Sequence, residues 1–202
     1  ASNDVHFAVM TSGYNSVTNG FLLDSMKMVL DFIEKDKIQM IHYPDFFEEG
    51  YKHKYDKDIY HYLDNVARND QYEMNRGFGH RLLRCSCVIW QFKNIDELKA
   101  KYYEVINVLE NSYDGEVNTP DVQRLKGMIR EFEEELVWAY NGVSVKNVHH
   151  LHLGFYQDKG ITKGPNMQRD VMPILNQFRE IQPDIISVTL DPEGSGPDTH
   201  YK

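Results

Sequence analysis

Cysteine is almost missing from this chain of 202 residues: Cys85 and Cys87 are the only two. Two residues apart on a helix or strand, they are poorly placed for an ordinary disulfide, and a lone Cys-x-Cys is weak support for a metal. A disulfide-stapled scaffold is excluded, and buried free thiols in a reducing compartment, the cytoplasm, are expected. Basic charge is scarce too. Lys and Arg number 22 against 31 Asp and Glu, a formal net charge of −9. Nucleic acid and anionic membrane both demand a basic footprint, so neither is expected as a partner. No window approaches the roughly 18 apolar residues of a transmembrane helix. No basic segment followed by an apolar one opens the chain, so no signal peptide is expected. The Ser-His-Asp elbow, the P-loop and the dinucleotide fingerprint are missing as well. Gly77-Phe-Gly79 and Gly160-Ile-Thr-Lys-Gly164 lack both the spacing and the strand-to-helix context. Internal repeats and low-complexity tracts are absent.

What is present implies a folded core. Hydrophobic residues at 41% and aromatics at 12% argue for a globular chain rather than disorder. The length fits one domain, or one and a half, with room for a proper core. Thirteen Tyr and ten Phe suit a core plus a carbohydrate-contacting surface, although abundant aromatics are more often core.

The periodicity is α/β at both ends with a helical middle. Val5 to Thr11 is a short β-type run stopping at Ser12-Gly13, and Val148 to Gly154 is a second, with Val148, His150, His152 and Gly154 on one face. Ile185 to Leu190 reads as a third strand. Strands spaced so far apart, with helical patterns between them, imply crossovers and a parallel sheet. Thr119-Pro120-Asp121 signs a helix start, and Val122, Leu125, Ile129, Phe132, Leu136 and Tyr140 follow at helical spacing up to Asn141-Gly142. Ile95, Leu98, Tyr102, Val105, Ile106 and Leu109 repeat that stripe after Asn94. Met172 to Ile181 is a further helix, with Pro173 tolerable only in its first turn. Residues 38–93, rich in Tyr, His, Lys and Asp, read as an insertion of short helices and loops. Weak helical signals lie at Asp58 to Arg68 and Arg81 to Phe92.

Four groups of residues could carry chemistry. Pro183 to Leu190 runs into Asp191-Pro-Glu-Gly-Ser-Gly-Pro-Asp-Thr-His200, a loop of oxygens and one imidazole beyond a strand end. A divalent metal or a sugar could sit there, and an ordinary surface loop has the same composition. His149, His150 and His152 form a cluster in which His150 and His152 share a strand face; they could bind metal or be structural. Glu133-Glu-Glu135 reads as a solvated helix face. Thr11-Ser12-Gly13 offers hydroxyls and N–H groups at a sheet edge, where substrate could sit or a plain turn could lie.

Together these pieces resemble the PIG-L/LmbE-like family of metal-dependent amino-sugar de-N-acetylases. The matching segments, in order, are Met10-Thr-Ser-Gly13, Arg130 to Glu134 running on to Ala139 and Gly142-Val143, His149-His-Leu-His-Leu-Gly-Phe155, and Pro183-Asp184 leading to Asp191-Pro192 and His200. The His-His-Leu-His-Leu strand followed by Phe-Tyr is similar to the version fused to long glucosamine-6-phosphate deaminase- or isomerase-like proteins. The resemblance covers both ends of the chain and not residues 38–93.

The resemblance implies a fold, a metal and a substrate. The fold would be α/β, a Rossmann-like, mostly parallel sheet flanked by helices, with a helical insertion about 38–93. The whole of 1–202 would be a single PIG-L/LmbE-like domain, a fragment incomplete at both ends. His200 would ligate zinc or another divalent metal, Asp191 and Asp198 would be catalytic, and Thr11, Ser12, Gly13 and Arg130 would contact an amino-sugar small molecule. Homo-oligomerisation stays open. Two departures count against the chemistry. The family's His-Pro-Asp-Asp/Glu motif occurs nowhere in the 202 residues, and Pro197 stands where the first histidine of the last motif would be. A catalytic zinc wants about three protein ligands, and one matched histidine cannot hold it. Two functions follow: a hydrolase in which metal-bound water attacks an N-acetyl amide, or a catalytically silent sugar-binding or regulatory module. An unrelated α/β protein is a third.

Overall fold

The structure, a computed structural model, describes residues 4–52, 55–113, 116–154 and 166–188. The chain divides into two compact units. The larger comprises Ala1–Val5 and Gly13–Val148, the smaller His6–Ser12 and His149–Lys202.

In the larger unit, α1 (Asn19–Glu34), α2 (Tyr55–Arg68), α3 (Gln71–Trp90), α4 (Ile95–Asn111) and α5 (Pro120–Tyr140) follow in order. Short polar side chains start three of them. Thr18 Oγ1 accepts from the Phe21 amide at 3.1 Å, Asp70 from Glu73 at 3.1 Å, and Asn94 from Asp96 and Glu97 at 3.0 and 2.9 Å. Each such cap is worth about 1 kcal/mol. Thr119 does precede α5, with Pro120 in the first turn, but its side chain makes no capping bond.

The core forms where the apolar stripes meet. Leu22, Met26 and Val29 of α1 join Leu82 and Leu83 of α3, Leu98 and Tyr102 of α4, and Leu125 and Ile129 of α5 in one cluster. Burying one large apolar side chain contributes about 1.5–3 kcal/mol. Tyr102 keeps its hydroxyl satisfied on Ser86 Oγ at 2.8 Å. In place of short helices, residues 38–93 carry α2 and α3, 14 and 20 residues long. Residues 81–87 of α3 are all buried, and α3 packs on α1, α2 and α5. α1 is not among the helices expected above, although its stripe follows Thr18 just as that of α4 follows Asn94.

β1 (Phe7–Val9) and β2 (Val148–His150) are the only strands among the described residues, and they run parallel. Beyond them the Leu151 amide donates to the Val9 carbonyl at 2.9 Å and the Leu153 amide to Met10 at 2.7 Å. The smaller unit also holds a π-helical turn, Met167–Val171, leading into α6 (Met172–Ile181).

The expected α/β class is thereby overturned. Among the described residues there is no Rossmann-like, mostly parallel sheet flanked by helices, but a helical chain with two strands of three residues each. The expected third strand fails most clearly. Ile185, Ile186 and Val188 are 86%, 54% and 68% exposed and belong to no strand; residues 189 and 190 lie outside the described residues. A β-prone run becomes a strand only where a neighbour supplies hydrogen bonds and a covering face. The second run stops at His150, because His152 takes a left-handed φ of 50°. No described helix is long and apolar enough to cross a membrane.

Candidate ligand site

Four helices of the larger unit line a half-open cavity of about 460 Å³, a size typical of small-molecule sites. Helical spacing puts Phe21, Asp24, Ser25 and Met28 of α1 on one wall. Gln71, Asn75 and Phe78 of α3 form the next, Phe132, Glu133 and Leu136 of α5 the third, and Tyr62 of α2 closes the ring. The aromatic rings make a continuous chain. Phe21 and Phe78 have centroids 6.0 Å apart, Phe78 and Phe132 5.5 Å, and Tyr62 meets Phe132 edge-on at 5.5 Å.

The polar groups on this lining differ in how far they are engaged. Ser25 donates to the Phe21 carbonyl at 2.7 Å and is spent on its own helix. Gln71 Nε2 donates to Asn75 Oδ1 at 2.8 Å, so the Gln71 carbonyl oxygen and the Asn75 amide nitrogen stay available. Glu133 pairs with Arg130 one turn earlier, and Arg130 also reaches Glu134 at 3.6 Å. Asp24 is exposed and has no charged partner among the described residues.

Two buried ion pairs fix the surrounding helices. Arg81 meets Glu135 at 2.8 Å, tying α3 to α5, and its guanidinium lies 5.8 Å from the centroid of the Phe132 ring. Arg84 binds Asp58 at 2.9 Å, tying α3 to α2, and donates to the Gly50 carbonyl at 3.0 Å. Burial pushes the Asp58 carboxyl up to about 6, against the pull of Arg84 and Arg81. On α3, burial pushes the His80 imidazole down to about 4, with Arg76, Arg84 and His61 adding to the effect. Glu135 corrects the expectation that Glu133 to Glu135 form one solvated face. It stands three residues beyond Phe132 on the core stripe and is 6% exposed.

Of the expected substrate contacts, Gly13 and Arg130 come together. Gly13 has a left-handed φ of 62°, and a Cβ on it would sit 3.7 Å from Arg130 Cγ and Nε. Thr11 and Ser12 belong to the smaller unit. Asp191, Asp198 and His200 lie outside the described residues. Phe21, Asp24, Gln71 and Asn75 were not among the expected site residues. The α1 stripe behind Thr18 could have flagged the first two; nothing local marks the others.

In the smaller unit, His6 Nδ1 and His149 Nε2 share a hydrogen bond of 2.9 Å, with their rings stacked 5.2 Å apart. Burial lowers the pKa of His149, and His6 lowers it further. His150 and His152 stack at 6.4 Å. Asp170 is 3% exposed and accepts from the Gly154 and Asn166 amides, both at 2.8 Å. Arg169, followed by those two amides, holds its pKa down at about 2. His200, the zinc ligand that the resemblance implies, lies outside the described residues. Among the described residues no three His, Cys, Asp or Glu side chains converge to hold a metal.

Over 109 residues the chain is 35% identical to a protein of Bacteroides thetaiotaomicron with the provisional name glucosamine-6-phosphate deaminase-like protein. The similarity is partial. It covers 52% of this chain and 16% of that protein, so the chain spans well under two thirds of its relative. No protein-family model and no solved structure matches the chain. The comparison supports the deaminase-like association and leaves the PIG-L/LmbE-like family without a match.

Proposed function

We propose that this chain is a sugar-binding or regulatory module, without hydrolytic activity of its own, of a glucosamine-6-phosphate deaminase-like protein. The observation that carries the reading is the 35% identity to a small part of a much longer protein of that name. The helical cavity supports it, since a pocket of about 460 Å³ with aromatic walls and free amide groups has the size and polarity of a sugar site. Cys85 and Cys87, both buried and free, fit a reducing compartment, and the cytoplasm belongs to the proposal. PIG-L/LmbE-like ancestry belongs to it as well, with the metal chemistry lost.

The test is acetate release from N-acetylglucosamine and ammonia release from glucosamine 6-phosphate, with zinc supplied, beside calorimetric titration of amino sugars. Binding without turnover is expected. Zinc-dependent acetate release that disappears in His200→Ala would restore the de-N-acetylase reading, with Asp191 and Asp198 as its next candidates.

A further inference from the structure

We infer that the cavity between α1, α2, α3 and α5 selects an amino sugar in its free, protonated form, in preference to the N-acetylated or phosphorylated sugar. This deepens the sugar-binding reading and rests on it. The lining includes two carboxylates, Asp24 and Glu133, and no Lys, Arg or His. Phosphate needs cationic or clustered N–H donors, and this lining supplies neither. The nearby cation, Arg130, is not on the lining and is already paired with Glu133 and Glu134.

An ammonium group meets the opposite situation. Asp24 keeps an uncompensated charge at the rim, and Phe21, Phe78 and Tyr62 present ring surfaces within the same cavity. Carboxylate plus aromatic faces is the combination that recognises a cationic amine. Phe132 contributes less, because the Arg81 guanidinium already lies against its ring. The Gln71 oxygen and the Asn75 nitrogen stand one helical turn apart, an acceptor and a donor for neighbouring hydroxyls. The apolar face of a pyranose ring would lie on the aromatic wall. An N-acetyl group removes the cation, and a 6-phosphate adds an anion beside Asp24.

Calorimetric titration with glucosamine, N-acetylglucosamine, glucosamine 6-phosphate and benzylamine tests this at about pH 6, where the sugar amine is charged. Glucosamine should bind about tenfold or more tighter than either derivative, a difference that should shrink to about twofold in Asp24→Asn. Asp24 is exposed on α1, so the variant should fold, which far-UV circular dichroism checks. Raising the pH to about 9, where the amine is neutral, should weaken glucosamine binding by a similar factor. Preference for the acetylated or phosphorylated sugar, or selectivity unchanged in Asp24→Asn, overturns the inference and leaves the sugar-binding reading standing. Binding of benzylamine with no binding of glucosamine overturns the amino-sugar assignment. No binding of any sugar overturns both.

Discussion

Acidification should weaken the larger unit through His80. Its Nε2 is sealed from solvent with no hydrogen-bond partner, so a proton placed there would be a buried, unpaired charge. Burial, reinforced by Arg76, Arg84 and His61 and only partly offset by Glu73, takes its pKa from 6.5 to about 4. Because the folded value is the depressed one, the unfolded chain takes up the proton first. Stability is therefore intact above 6.5 and is lost as the pH falls toward 4. Between about pH 7 and about pH 5 the loss from His80 is about 2 kcal/mol. Asp58 works the other way. Its folded pKa is raised from 3.8 to about 6, so its contribution grows as the pH falls through about 6 and offsets about 1 kcal/mol over that window. His80→Gln separates the two, since Asp58 titrates in both proteins. Urea unfolding followed by Trp90 and Trp138, both in the larger unit, gives the stability at each pH. The gap between wild type and variant should narrow by about 2 kcal/mol from about pH 7 to about pH 5. Parallel curves would refute the reasoning, because His80 would then carry no depressed pKa.

Removing one partner of the buried Arg81–Glu135 pair strands the other charge, so Glu135→Ala should cost about 3–5 kcal/mol in urea unfolding. Glu134→Ala, two-thirds buried beside Arg130 at 3.6 Å, should cost under about 1 kcal/mol. Asp170→Ala should remove hydrogen-exchange protection from the Gly154 and Asn166 amides, which it accepts directly. In the wild type the same protection should persist above pH 3.8 and fail as acid approaches about pH 2. Burial pushes the Cys85 and Cys87 thiols up to about 12, so a disulfide-exchange reagent should react with neither until denaturant is added.

Local signals were legible wherever one helix face alone is buried. The apolar stripes and starts of α4, α5 and α6 place those helices almost to the residue, at Ile95–Asn111, Pro120–Tyr140 and Met172–Ile181. α3 gave only a weak signal, at Arg81 to Phe92, for the opposite reason. Residues 81–87 are all buried, and Gly77 and Gly79 are in close contact with neighbouring side chains, so that stretch has no exposed face to set a period. The run at Ile185 to Val188 misled because β-propensity describes fit to a neighbouring strand, and no described strand is there to supply it.

Composition and periodicity by themselves determined that the chain folds, that its cysteines stay free and where three helices begin and end. Those are properties of a residue and its neighbours within a few turns. The tertiary structure alone decided the class, because a sheet requires partners that sequence spacing cannot guarantee. It alone decided the site as well. Asp24, Tyr62, Asn75 and Phe132 come from four different helices, and only the packing of those helices brings them around one cavity.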